Sequence, residues 1–161
     1  MPILHLQYND QDRTVDGKRY CLPPMSVLHE KGPCIQITTC VATSIAEQLL
    51  QQGIAVPAPL PGIALIDTGA STTCIDMRIA ERLNLPVIDV VKIASASHTS
   101  IVQNVHPVLI EVIGVGIRID IPHAIGANLA PHGLAALIGR DFLQRCTLFY
   151  NGPTGEITLS I

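Results

Sequence analysis

Aromatic side chains are scarce, at 3% of the 161 residues, and no basic run occurs anywhere in the chain. Stacking platforms and phosphate clamps both need what is missing here, so no nucleic-acid partner is expected. Charge is also sparse: charged residues make up 14%, apolar residues 48%, and the net charge is −3. That balance fills the core of one domain and leaves apolar surface for a subunit interface. A long uninterrupted apolar run is absent too. The best stretch, 101–121, is broken by Gln103, Asn104, His106, Glu111 and Arg118, whereas a bilayer span needs about 20 mostly apolar residues, so no membrane partner is expected. The N-terminus has neither a positive n-region nor a long h-region, and no secretory signal is read there. No C-x-x-C pair exists, and the five cysteines (Cys21, Cys34, Cys40, Cys74, Cys146) are odd in number. This argues against a disulfide framework and for a reducing, cytoplasmic setting. The six histidines show no i,i+4 or H-x-E spacing, so neither a metal nor another cofactor is expected.

What is present is punctuated β pattern. Ile3, Leu4 and Leu6 can start a strand, and Asp10 to Lys18 reads as a polar turn with Asp16-Gly17 at its tip. Pro23-Pro24 and Gly32-Pro33 interrupt regular structure, so residues 1–32 are taken as an N-terminal extension packed on a domain of residues 33–161. Cys34 to Val41 alternates and is β-branched, which predicts a strand. A helix over 44–52 follows, with Ser44 and Glu47 spaced as a capping box. Ile63 to Ile66 is a strand that ends at Asp67. Ser71 to Ile75 returns as a strand, and Asp76 can cap a short helix that Asn84 and Pro86 stop. Val87 to Ile113 reads as two or three strands with a polar tip at 95–100, and Gly114 to Ile121 as another. Gly114-Val-Gly116 has part of a dinucleotide fingerprint but no third Gly, and is read as a strand with a bulge. Residues 122–133 read as an irregular loop. Leu134 to Ile138 run into Gly139, a short helix spans 140–145, and 147–150 with 156–161 form a closing hairpin. The whole is mainly β, with two or three short helices.

Two segments carry chemistry. Ala64-Leu-Ile-Asp-Thr-Gly-Ala-Ser71 delivers a carboxylate from an apolar strand to a tight turn, which is how an acid is held rigidly for proton transfer. Roughly seventy residues downstream lies Ala136-Leu-Ile-Gly-Arg-Asp-Phe-Leu143. The pairing resembles the retropepsin-like (single-domain, retroviral-type) aspartic peptidases. That resemblance covers about residues 34–161 and implies the acid protease fold, a closed β-barrel. It implies that Asp67 is one half of a catalytic pair, that Thr68 bonds across a dimer axis, and that Gly69 lets the backbone approach the pair, with Ala70 completing the loop. Leu137, Ile138, Gly139, Arg140 and Asp141 then match the structural second motif. The segment Ile93 to Ile101, with Ser95, Ala96, Ser97 and His98 at its tip, would be a flap over a polypeptide substrate.

The chemistry demands two such acids. Two carboxylates about 3 Å apart share one proton, so one can activate water while the other polarises the peptide carbonyl. Asp67-Thr68-Gly69 occurs once, so the expected enzyme is a homodimer in which each chain supplies one Asp67. A catalytically silent dimeric peptide-binding module of the same fold is the alternative. In isolation, an Asp at a strand end is more often a turn former, and Arg140-Asp141 can be a plain helix start. Ala70 stands where pepsin-like members commonly carry Ser, which removes one hydrogen bond to the charged pair. An activity optimum at about pH 5–6 is expected from that loss. Retroviral enzymes also often carry an acid at the position of Ser71, where it pairs with the Arg of the second motif. Arg140 must therefore find a different partner, with the dimer interface as one option.

Overall fold

The computed structural model describes residues 1–95 and 98–161. Twelve strands and four short helices are seen among them: β1 Ile3–Gln7, β2 Gln11–Val15, β3 Lys18–Leu22, α1 Pro24–Lys31, β4 Cys34–Val41, α2 Thr43–Gln51, β5 Leu60–Ile66, β6 Cys74–Asp76, α3 Met77–Arg82, β7 Asp89–Ser95, β8 His98–Val112, β9 Ile117–Ala127, β10 Ala136–Ile138, α4 Arg140–Leu143, β11 Thr147–Asn151 and β12 Glu156–Ser160. A single 3-10 turn, Ala130–His132, precedes β10.

The main sheet runs β4-β5-β10-β6-β9-β8, and β8 pairs back onto β4. That last pairing, Ile37 opposite Val112 through Val41 opposite Val108, closes a six-stranded barrel and leaves those strands no free edge. Alternation puts Ile35, Ile37 and Val41 of β4 and Ile117, Ile119 and Ile121 of β9 inside, all buried. The β7–β8 hairpin extends from the barrel as the sequence indicates. Ala96 and Ser97 of the expected flap tip lie outside the described residues, as do the side chains of Ser95 and His98. Beside the barrel, β1-β12-β11 form a second antiparallel sheet whose Ile157 and Leu159 are fully buried. The hairpin of β2 and β3 is exposed along both strands and turns through Asp16 and Gly17, both at positive φ. That is the two-residue turn whose twist matches a hairpin.

Several expectations change, among them that Asp10 to Lys18 is mostly strand β2 and not a polar turn, and that the strand after Ser71 starts only at Cys74. Helix α1 was hidden by its flanking prolines, yet Pro24 occupies the first helical position, where its missing N–H costs nothing, and Val27 and Leu28 are buried beneath it. Helix α2 begins one residue earlier than the Ser44 cap and has no local side-chain cap. Its first turn is held instead by Asp120 of β9, which accepts from the Thr43 N–H (2.8 Å) and hydroxyl (2.7 Å). Half of the expected 122–133 loop is strand, because β9 continues to Ala127 and pairs with both β8 and β6. Pro122 is tolerated there because the β8–β9 register shifts between His106 and Val108, so a ladder bond is skipped at that point. Gly114 and Gly116 lie in the turn between β8 and β9, both at positive φ, and not in a bulged strand.

Candidate active site

The two motifs of the sequence run side by side. Strand β10 pairs in parallel with β5, with Ala136, Leu137 and Ile138 opposite Ala64, Leu65 and Ile66. Ala64, Ile66, Ala136 and Ile138 are buried in the barrel, so the alternate residues Leu65 and Leu137 face outward together. The register carries both strands to their ends at one level: the Asp67 N–H donates to the Ile138 carbonyl at 2.9 Å. Chain direction therefore turns at Asp67 and at Gly139 in the same place.

The turn after Asp67 closes on its own carboxylate. Oδ1 accepts from the Gly69 N–H at 2.9 Å, and the Asp67 carbonyl accepts from the Ala70 N–H at 3.2 Å. Thr68 and Gly69 are exposed, and Asp67 and Ala70 are half-buried. A Cβ at Gly69 would sit 3.1 Å from Asp67 Oδ1, so a side chain there would press on the carboxylate.

The second motif holds this turn from behind. Arg140 donates its N–H to the Ala70 carbonyl at 3.0 Å, and its guanidinium donates to the Thr68 and Gly69 carbonyls at 2.9 Å each. Arg140 thus finds its partner in the backbone of its own Asp67 loop, which settles what replaces the missing acid at Ser71. Asp141 points the other way. Its carboxylate accepts from the Thr73 N–H (2.9 and 3.0 Å), the Thr73 hydroxyl (2.6 Å) and the Phe142 N–H (2.9 Å). The Thr73 hydroxyl in turn accepts from the Gly139 N–H at 3.1 Å. Gly139 is required by close approach, since a Cβ there would lie 2.6 Å from the Thr72 carbonyl carbon and 2.8 Å from the Thr73 nitrogen. Leu137 and Ile138 supply the strand, one facing outward and one the core.

Thr73 is the member of this clasp that the sequence did not single out. It is fully buried, yet in the sequence it is one Thr of a Thr-Thr pair with no local mark of its role. Cys74, next in the chain, is partly buried. Its thiol is pushed up to about 11 by burial first, then by the negative Asp141 and Asp67 nearby.

Asp67 lies on the wall of a groove of about 1030 Å³. Leu65 and Leu137 line it beside the carboxylate, with Leu129 and Leu134 from the segment before β10. The opposite contribution comes from the N-terminal residues, including Leu4, Leu6 and Tyr8 around β1 and Lys31 at the end of α1. The Tyr8 hydroxyl fastens that wall, donating to the Gly32 carbonyl (2.9 Å) and accepting from the Cys34 N–H (3.0 Å). Neither Leu4, Leu6 nor Tyr8 was legible as a groove residue, because nothing local places β1 at the groove. Among the described residues no three His, Cys, Asp or Glu side chains are grouped to hold a metal ion. No helix among them is long and apolar enough to cross a membrane.

Comparison with known proteins falls on the same residues. Residues 60–145 match the family model described as gag-polyprotein putative aspartyl protease. No curated protein matches the chain. Among solved structures, the chain is similar to the retroviral protease-like domain of Ddi1 from Leishmania major, at 16% identity and a TM-score of 0.40 over 73% of this chain and 80% of that one. It is also similar to a retropepsin-like aspartic protease from Rickettsia conorii, at 15% identity and a TM-score of 0.39 over 98% of this chain and 90% of that one. The family match spans more than half of the chain and takes in both the Asp67 turn and the Gly139-Arg140-Asp141 clasp behind it, and the chain belongs to this family of gag-polyprotein aspartyl proteases.

Proposed function

We propose that the chain is an aspartic endopeptidase that hydrolyses peptide bonds as a homodimer, each subunit giving one Asp67. The observation that carries this reading is the Asp67 carboxylate itself. It sits on the wall of a groove large enough for an extended peptide, oriented by the Gly69 N–H, in a turn that Arg140 fixes by three hydrogen bonds. A carboxylate held this way is preorganised for proton transfer. Paired across a two-fold axis with a second Asp67, it shares one proton. The ionised partner takes a proton from water, the oxygen of that water attacks the peptide carbonyl, and the protonated partner donates to the carbonyl oxygen as it becomes tetrahedral. The outward leucines of the groove favour substrates with apolar side chains near the cut.

Asp67→Asn tests the proposal. The variant keeps the shape and the Gly69 hydrogen bond to Oδ1 but cannot ionise, so cleavage of an unstructured protein should fall by about 10²–10⁴-fold while the sedimentation profile is unchanged. Equal cleavage by wild type and variant, or none by either between pH 3 and 7, overturns it. The second of those outcomes is what a silent peptide-binding module would give.

A further inference from the structure

A second cavity shares no lining residue with the Asp67 groove. It measures about 260 Å³ and lies where α3, the segment after it, and strands β8 and β9 meet at the root of the β7–β8 hairpin. Its most unusual wall is His106, a histidine only 6% exposed that the proposed chemistry does not use. His106 Nδ1 lies 3.0 Å from the Pro86 carbonyl oxygen. A carbonyl only accepts, so Nδ1 carries the hydrogen, and in the neutral ring Nε2 is then the acceptor. Nε2 has no hydrogen-bond partner among the described residues. It lies 3.5 Å from where a Cβ on Gly126 would stand, and Gly126 lines the same cavity. The missing side chain leaves open the space in front of that nitrogen.

One other side chain at the cavity is a pure acceptor. Glu81 brings a carboxylate that forms no ion pair among the described residues, and Asn84 and Asn104 bring amides that both accept and donate. The remaining wall is apolar: Met77, Ala80, Leu85 and Val87. A neutral apolar occupant would cover Nε2 without pairing it, and an anion would face Glu81. A metal ion would find too few protein ligands among the described residues. We infer that this cavity binds an alkylguanidinium or alkylammonium group, its cationic head donating to His106 Nε2 and Glu81 and its short carbon stem lying on the Met77–Leu85 wall. The same chemistry is offered by a free small amine and by a basic side chain of a bound polypeptide.

Imidazole nitrogen NMR on the intact protein tests this at about pH 8, above the ordinary imidazole range. One arm titrates n-propylguanidinium, a second an acetyl-Gly-Arg-Gly amide, and a third the neutral n-butanol. The expected result is a saturable shift of the His106 Nε2 resonance with n-propylguanidinium and none with n-butanol. Glu81→Gln, on an exposed helix position, should weaken binding about 2–5-fold. Gly126→Ala, whose methyl meets its neighbours at ordinary contact distance, should reduce it further by filling the space before Nε2. Saturation by the peptide as well assigns the site to a basic side chain, and saturation by the free cation alone assigns it to a small amine. No saturable shift with either cation, equal binding of n-butanol, or unchanged affinity in Glu81→Gln overturns the proposal. None of these outcomes depends on peptidase activity.

Discussion

Arg140 shows how much of the site is made by one side chain. Among the described residues its guanidinium pairs with no carboxylate; it gathers two carbonyls of the Asp67 turn, while its own N–H takes a third at Ala70. Both bonds come from one terminal nitrogen, Nη1, which the rigid planar guanidinium aims between the two carbonyls, and a shorter, freely rotating ammonium is not aimed in that way. Arg140→Lys should therefore fold but hold the turn less rigidly, lowering kcat by about tenfold with KM little changed, because a small misplacement costs more in the transition state than in binding. Steady-state kinetics on a single peptide separate the two, and an unchanged kcat would mean the clasp is not needed for the Asp67 geometry. Cys74 gives an independent check of the surroundings. With its thiol at about 11 against an ordinary 9.0, it carries about a hundredfold less thiolate near neutrality, and the thiolate is the reactive form. Mass-resolved alkylation near neutral pH should label exposed Cys21 well before Cys74. Early labelling of Cys74 would contradict the packed, negatively charged setting in which Asp67 is placed.

Short elements here are held by side chains from elsewhere. Helix α3 starts at Asp76, as the sequence indicates, and Oδ1 accepts from the Arg78 N–H at 3.1 Å. The same carboxylate also accepts from the Arg78 side chain (3.0 Å) and from the distant Leu129 N–H (3.0 Å), which ties α3 to the segment bordering the groove. Burial opposes the charge on Asp76, but the Arg78 side chain and the N–H groups of Arg78, Leu129 and Ala130 outweigh it and hold the carboxyl below its ordinary range. A depressed carboxyl stabilises the fold fully above the unfolded value of about 3.9, and that contribution is lost as pH falls further, through the native value. Thermal melts should show Asp76→Ala less stable by about 2–3 kcal/mol near neutrality, with the gap to wild type shrinking only below about pH 4. A gap independent of pH would mean the carboxylate acts only through its shape. The contrast with α2 explains what was legible. Asp76 sits beside the helix it caps, so its role is written locally. Asp120 caps α2 from 77 residues away, and Ser44, the local candidate, does not. Thr73 and Tyr8 were missed for the same reason, since each acquires its partners only through folding.

At the scale of the molecule, the barrel explains why two motifs so far apart in sequence form one site. The parallel pairing of β5 with β10 is non-local, yet each strand announces itself by an apolar run ending in a glycine-containing turn, so both were readable even though their contact was not. The groove wall was less readable, because β1 reaches it by pairing with β12 at the opposite end of the chain. What a single barrel does not contain is a second Asp-Thr-Gly turn, and the proposed chemistry requires two carboxylates that share a proton. A mixing experiment turns that requirement into arithmetic. Let wild type and an excess-free equal amount of Asp67→Asn exchange subunits at random, with total activity compared with the same wild-type protein alone. One quarter of all dimers then carry two intact carboxylates, but twice as many dimers are present, so activity should fall to about half. Each further portion of variant should lower it again, tracking the fraction of wild-type subunits that still meet one another. A monomeric enzyme, or a dimer whose subunits work alone, would keep its full activity at every ratio. The curve therefore separates a shared Asp67 site from two independent ones without a structure of the assembled dimer.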